Sequence, residues 1–270
     1  MSTIHMHSHV SAAPTAGASR RPEPSRDVHR PRAPFWLRVT LAVIAFAVSS
    51  SSVLLGFLTP GVAERFNGND DAAHMWVALL IWPIALVVYL LCSFLLVRGA
   101  DRAPLRSLGL RIDGRALAAL ATGIGISVLI AVLVAGASVL VAQPAPSTAD
   151  SATGGMGSVN GLASLPAWLI VAYLLSRSFV LQGIGEEVLM RGYLLQSLRA
   201  CPRKSVLVTA AAFTLPHLLS AGGQQTWWDH AAYLAIPFGF SLSAAYLAIL
   251  FRSVWAAVGI HAVSYTHLRA

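Results

Sequence analysis

The run MWVALLIWPIALVVYLLCSFLLV occupies residues 75–97 and contains no charged side chain. A helix crosses the hydrocarbon core of a bilayer with roughly 20 consecutive apolar residues, and this run is long enough to do so. The run therefore predicts a transmembrane helix.

Composition extends this prediction to the rest of the chain. Hydrophobic residues make up 56% of the sequence and charged residues only 11%, whereas soluble domains carry about 25% charged residues. A soluble protein with so few charges could not cover its surface with polar groups. We therefore expect most of the surface to face lipid.

Comparable apolar runs lie on both sides of residues 75–97. They cover approximately 35–58, 116–141, 165–195, 205–220, 231–251 and the residues from 254 onward. We predict an all-α fold, a polytopic transmembrane helical bundle of about seven spans whose last span is truncated. Residues 1–34 are poor in large aliphatic side chains and are predicted to be a disordered basic tail.

Basic side chains are concentrated in alternate loops. They precede the first span and fill the second, fourth and sixth loops: Arg20, Arg21, Arg26, Arg30, Arg32 and Arg38, then Arg98, Arg102, Arg106, Arg111 and Arg115, then Arg199, Arg203 and Lys204, then Arg252. Because basic loops stay in the cytoplasm, we expect a cell-membrane protein with a cytoplasmic N-terminus. No recognition module accompanies the positive charge, so no nucleic-acid partner is expected.

Ionisable side chains inside the spans indicate where function lies. Each costs about 2.5–3.5 kcal/mol at the centre of a span on insertion scales, so it is a functional hypothesis by default. The fourth run contains Glu186, Glu187 and Arg191, the fifth His217 and the last His261. The alternative is that the glutamates reach the cytoplasmic interface and each histidine is a structural residue.

The two adjacent glutamates are not equivalent in this spacing. Glu187 and Arg191 are four residues apart, so they share a helix face and can form an ion pair. Glu186 points about 100° away and has Met190, not a cation, at the corresponding position. Glu186 is therefore the candidate to take and give a proton, with partners from other spans.

The histidines complete a set on three different spans. Pro216 is expected to kink the fifth span, because proline cannot donate a backbone hydrogen bond, and so to turn His217 inward. Glu186, His217 and His261 could then activate a water molecule. They could also bind a divalent metal such as zinc.

The order Glu-Glu-x-x-x-Arg, Phe-x-x-x-His and a final His resembles the CPBP family of intramembrane proteases. The family comprises the CAAX prenyl proteases and the bacterial Abi or bacteriocin-processing and immunity proteins. The matching residues are Glu186, Glu187, Arg191, Phe213, His217 and His261. The resemblance covers about residues 165–263. We therefore predict four parts: a disordered cytoplasmic basic tail (1–34), N-terminal transmembrane helices (35–160), a CPBP-like catalytic membrane domain (161–265) and a truncated or non-native end (266–270).

The resemblance implies a role for each residue. Glu186 would activate the hydrolytic water with help from His217, Glu187 would be held by Arg191, and His261 would help to stabilise the oxyanion. In the family the position four residues after the final histidine is usually asparagine, a second oxyanion donor; here it is Tyr265. A phenol can donate a hydrogen bond but has a different reach.

The function expected from these residues is peptide-bond hydrolysis at the membrane. The partners are then membrane lipid and a membrane-associated peptide or protein substrate. Two alternatives remain at this point: a non-catalytic bacteriocin-immunity or scaffold protein, and a proton-coupled transporter. The absence of internal repeats weighs against the transporter.

Overall fold

The computed structural model describes residues 33–141, 165–219 and 224–267. Residues 1–32 of the expected tail and 268–270 of the expected non-native end lie outside this part of the chain. The described residues form eight helices and no strand. The helices are α1 (Phe35–Ser51, continued by a 3₁₀ segment Ser52–Leu58), α2 (Val62–Asn67), α3 (Asp71–Leu95, continued by Leu96–Ala100), α4 (Gly114–Val141), α5 (Ala167–Ser197), α6 (Pro202–Thr214, continued by Leu215–Leu219), α7 (Trp227–Phe251) and α8 (Trp255–His267).

Five of these helices are long and apolar enough to cross a membrane. They are Phe35–Leu58, Asp71–Ala100, Gly114–Ala137, Ala167–Ser197 and Trp227–Phe251. The prediction of an all-α polytopic bundle is confirmed, and the chain is a multi-pass membrane protein. The fifth and seventh predicted runs form α6 and α8, each of 13 residues, which is shorter than a spanning helix.

Local polar signals set where several helices begin. Asp70 caps α3, because its Oδ1 accepts hydrogen bonds from the backbone of Ala72 at 2.9 Å and Ala73 at 3.1 Å. Thr226 and Asp229 form a reciprocal capping box at the start of α7. Such caps satisfy backbone N–H groups that have no partner in the first helical turn.

Exposed tryptophans lie at the starts of α3, α5 and α7. Trp76 and Trp168 meet edge to face with ring centroids 5.6 Å apart, and Trp227 stacks on Trp228 at 4.2 Å. These helices all start on the side opposite the basic loops. Tryptophan is enriched at membrane–water interfaces, so the pattern fits a membrane boundary at this level.

Helix α5 is the centre of the bundle, and α8 packs against both α4 and α5. Every residue from 185 to 195 is buried, so this half of α5 is enclosed on all sides. Helices α4 and α8 cross closely at Gly123 and Gly259: a Cβ atom at Gly259 would lie 2.3 Å from the carbonyl oxygen of Leu120. Small residues allow such close backbone approach between membrane helices.

Candidate active site

Helix α5 departs from regular α geometry around the glutamates. The α-helical turn Ile184–Glu187 lies between two π-helical segments, Ser176–Gly183 and Val188–Leu194. A Cβ atom at Gly183 would lie 2.5 Å from the carbonyl oxygen of Ser178, so glycine permits the wide turn. Such segments occur frequently at functional sites. These segments were not predicted from the sequence, where the nearest signal is the pair of glycines, Gly183 and Gly185, within the apolar run.

Glu187 and Arg191 form the ion pair that their spacing predicts. Arg191 Nη1 lies 3.0 Å from Glu187 Oε1, and both side chains are fully buried. The same guanidinium donates from Nη2 to the hydroxyl of Ser241 at 2.8 Å and to its carbonyl oxygen at 3.2 Å. A buried charge is tolerated when it is paired and hydrogen-bonded in this way.

Two aromatic rings enclose the Arg191 guanidinium. Its central carbon lies 4.8 Å from the ring centroid of Phe213 and 5.8 Å from that of Phe240. A cation over an aromatic face is attracted by the ring quadrupole, and more strongly where water is excluded. Phe213, included from the family pattern, therefore lies against the cation that holds Glu187.

His261 is bound to Glu187. Its Nδ1 lies 2.7 Å from Glu187 Oε1, the same oxygen that accepts from Arg191. An ionised carboxylate has no proton to give, so Nδ1 is the donor. The sequence predicted His261 beside Glu186 and paired Glu187 with Arg191 alone, because only the ion pair on one helix face is encoded by local spacing.

Glu186 lies next to the other nitrogen of the same histidine. His261 Nε2 is 3.8 Å from Glu186 Oε2, which is too long for a hydrogen bond but within the range of charge–charge attraction. Glu186 is 7% exposed, compared with 0% for Glu187. Glu186, which has no cation four residues further along its helix, is therefore the more accessible of the two carboxylates.

His217 lies at the edge of this cluster. Helix α6 changes to a 3₁₀ turn at Leu215, beside Pro216, and His217 Nδ1 is 3.0 Å from the carbonyl oxygen of Phe213. Its ring lies 5.1 Å from that of Phe213, which in turn lies 6.0 Å from the ring of His261. Phe213 thus contacts both histidines. The contacts seen in the described residues do not include a direct hydrogen bond between His217 and Glu186.

All of these residues fall within one recognisable segment. Residues 165–266 match the family model described as "Type II CAAX prenyl endopeptidase Rce1-like". This segment is Rce1-like. The resemblance to the CPBP and CAAX protease family is confirmed, and it supports protease activity at the level of the family. No curated protein and no solved structure gives a significant match to the chain.

The Rce1-like segment does not assemble an evident metal site among its described residues. In this part of the chain no three His, Cys, Asp or Glu side chains are arranged to hold an ion. His261 Nδ1 is engaged by Glu187, and His217 Nδ1 by the Phe213 carbonyl. A histidine whose Nδ1 donates to a carboxylate or a carbonyl oxygen commonly binds a metal through Nε2, so the expected metal role of Glu186, His217 and His261 stays a prediction.

Several residues that pack around the site carried no signal in the sequence. Ser241 and Phe240 lie in the apolar run of α7 and contact Arg191 only through the tertiary fold. Tyr89 of α3 packs against Gly185, where a Cβ atom would lie 2.7 Å from the tyrosine ring. Tyr265 lies in α8, but its side chain is outside the described part of the structure, so its expected place near the oxyanion stays a prediction.

Proposed function

We propose that this chain is an intramembrane endopeptidase that hydrolyses a membrane-associated peptide or protein with a water molecule activated by Glu186. The single observation that carries the proposal is the placement of Glu186 Oε2 3.8 Å from His261 Nε2 in a buried site. Groups at this separation can both reach one water molecule at about 2.8 Å. The Rce1-like match over residues 165–266 supports the same reaction class.

In the proposed reaction, Glu186 acts first as a base and then as an acid. Its carboxylate takes a proton from water while the water oxygen attacks the scissile carbonyl carbon, whose π electrons move onto the oxygen. The tetrahedral intermediate then collapses, the carbon–nitrogen bond breaks, and Glu186 gives its proton to the leaving amine. The products are a carboxylic acid and an amine, and Glu186 returns to its initial state.

The histidines are proposed to hold the reacting atoms. Glu187 fixes the ring of His261 through Nδ1, as a carboxylate orients the histidine of a hydrolytic triad. When the ring is protonated, Nε2 donates to the oxygen that becomes negative in the transition state. His217 is proposed to assist Glu186 in positioning the water, as the resemblance implies, and Arg191 acts by holding Glu187.

Substrate and orientation belong to the same proposal. The family description names a CAAX prenyl endopeptidase, so a prenylated C-terminal peptide is the first substrate to test and an unprenylated membrane peptide the second. The basic loops favour a cytoplasmic N-terminus in the cell membrane. Leu96–Ala100, which contains Arg98, and residues 197–201, which contain Arg199, would then face the cytoplasm.

The test is cleavage of quenched fluorescent peptides by the purified full chain in proteoliposomes. We expect Glu186→Gln to lower kcat by about 10² to 10⁴-fold, the usual contribution of a general base. Glu64→Gln, an exposed glutamate in α2, is the matched control and should retain activity. Equal cleavage by wild type and Glu186→Gln would overturn the proposal. Substrate flux coupled to protons without cleavage would favour the transporter instead.

A chelator distinguishes the two mechanisms left open by the sequence, a glutamate peptidase and a metal-dependent peptidase. Activity that persists after prolonged treatment with EDTA and phenanthroline would support the glutamate mechanism. Loss of activity that zinc restores would support a metal-dependent peptidase.

A further inference from the structure

A second cavity lies outside the site of Glu186 and His261. It has a volume of about 480 Å³ and is lined by three arginines, Arg106, Arg199 and Arg252, together with Ser107 and Ser205. Its apolar lining includes Leu195, which is eight residues beyond Glu187 on α5 and therefore roughly 12 Å along the helix axis. The proposed peptidase reaction does not use this cavity.

The three arginines come from three different loops. Arg106 belongs to the turn between α3 and α4, Arg199 to the connection between α5 and α6, and Arg252 to the end of α7. These are the second, fourth and sixth loops, all on the basic side of the predicted topology. The fold thus brings one guanidinium from each of three basic loops to one cavity.

These guanidinium groups have no acidic partner in the described part of the chain. The ion pairs of this part involve Arg111, Arg191 and His261 instead. Three like charges around one cavity repel each other, and a bound anion would relieve the repulsion. Arginine presents planar, paired donors that match the geometry of phosphate oxygens.

The backbone around the cavity is held in place by the rest of the fold. A Cβ atom at Gly192 would lie 2.8 Å from the carbonyl oxygen of Leu108, so the turn that bears Arg106 packs directly on α5. Ser205 Oγ donates to the carbonyl oxygens of Leu198 and Cys201 and so fixes the loop that bears Arg199. The backbone that bears Arg106 and the backbone that bears Arg199 are therefore held in place by contacts with the rest of the fold.

The location of the cavity indicates the source of the anion. Its lining residues follow or precede the ends of four candidate spans, at Ala100, Gly114, Ser197 and Phe251. These ends lie at the level where lipid headgroups meet water. Ile249 is exposed beside the cavity and offers an apolar surface to the glycerol and first methylene groups of a lipid.

We propose that this cavity is a binding site for the phosphate headgroup of an anionic phospholipid from the leaflet on the basic side of the protein. The proposal is independent of the peptidase reaction and would stand if that reaction were disproved. Basic pockets between membrane helices on the cytoplasmic side bind anionic headgroups by the same chemistry.

The experiment uses the purified full chain in phosphatidylcholine nanodiscs with increasing phosphatidylglycerol. The readouts are retained lipid in native mass spectra and the midpoint of thermal unfolding. The test variant is Arg106→Gln/Arg199→Gln/Arg252→Gln. The matched control is Arg98→Gln/Arg115→Gln/Arg203→Gln, which removes the same charge from exposed positions on the same side.

We expect wild type and the control variant to retain phosphatidylglycerol in preference to phosphatidylcholine. The test variant should bind phosphatidylglycerol at least about tenfold more weakly, because one charge-assisted hydrogen bond contributes about that factor. Replacing the same three arginines by lysine should give an intermediate affinity, since charge is kept but the paired donors are lost. Unfolding midpoints in phosphatidylcholine alone verify that each variant is folded.

Three outcomes would overturn the lipid assignment. If the test and control variants lose phosphatidylglycerol binding equally, the lipid is attracted by the general positive charge of the surface and not by a specific site. If millimolar inorganic phosphate raises the unfolding midpoint as much as phosphatidylglycerol does, the site binds free phosphate. Displacement of the lipid by a peptide with a free C-terminal carboxylate, but not by its amide, would assign the cavity to a peptide end.

Discussion

The Nδ1 atom of His261 lies 2.7 Å from Oε1 of Glu187, and this contact links α8 to the centre of the bundle. The same carboxylate oxygen accepts from Arg191 at 3.0 Å. One glutamate therefore neutralises a buried guanidinium and orients the imidazole whose other nitrogen faces Glu186. Positioning of the histidine and stability of α5 are coupled through a single side chain.

The buried pair predicts strong coupling in a double-mutant cycle. Glu187→Leu and Arg191→Leu should each lower the free energy of unfolding by about 3–5 kcal/mol, because each strands a buried charge. The double variant should lose less than the sum of the two, as measured by unfolding in detergent. The exposed pair Arg111 and Asp113, 3.4 Å apart, is the control and should contribute under about 1 kcal/mol. Additive losses at Glu187 and Arg191 would contradict the coupling.

Substitutions of the two histidines should have different effects on the unfolding midpoint and on kcat. His261→Ala should lower both the unfolding midpoint and kcat, since His261 is 1% exposed and bound to Glu187. His217→Ala should lower kcat with little change in the midpoint, because the hydrogen bond that its side chain makes among the described residues is to its own helix segment. The measurements are peptide cleavage and thermal unfolding of the same preparations. An unchanged kcat in His217→Ala would remove that residue from the proposed reaction.

Close packing of α4 on α8 predicts that Gly259 cannot be enlarged. In Gly259→Ala the added Cβ would meet the carbonyl oxygen of Leu120 at 2.3 Å and the backbone nitrogen of Ile124 at 2.9 Å. Backbone atoms of packed helices can move only at a cost in free energy. We therefore expect the free energy of unfolding to fall by about 1–3 kcal/mol, the usual cost of overpacking. Activity should fall as well, because His261 is two residues away.

The control for this substitution is Gly125→Ala on α4. A Cβ atom at Gly125 meets no other atom within 4 Å, so this variant should be as stable as wild type or slightly more stable, since alanine favours the helix. A Gly259→Ala variant that unfolds and cleaves like Gly125→Ala would show that the crossing does not hold His261 in place.

The predicted orientation can be measured with the native cysteines. Cys201 is exposed in the loop between α5 and α6, and Cys92 is half-buried in α3. In a Cys92→Ser background, a membrane-impermeant maleimide should label Cys201 in inverted vesicles and not in intact cells, because that loop is basic. A Thr59→Cys/Cys201→Ser variant in the same background, with its cysteine at the opposite end of the first candidate span, should show the reverse pattern. Labelling of Cys201 in intact cells would reverse the topology.

The sequence determined the class of the protein because long apolar runs and scarce charge leave few alternatives. Residues 75–97 are sufficient to predict a spanning helix, and the four-residue spacing of Glu187 and Arg191 is sufficient to predict their ion pair, since both depend on local helical geometry. The ordered motifs predicted the resemblance to the CAAX protease family, which the match over residues 165–266 confirms.

Only the tertiary structure decided how the helices meet, because contacts between distant segments depend on packing that no local pattern encodes. Spacing assigned Glu187 to Arg191 alone, but the fold also brings His261 to it and places Ser241 and Phe240 around the arginine. The wide turn of α5 at Gly183 depends on a close contact with the Ser178 carbonyl oxygen, which only the folded helix shows. The adjacent glutamates thus differ in sequence by their helical neighbours, and in structure by which nitrogen of one histidine each faces.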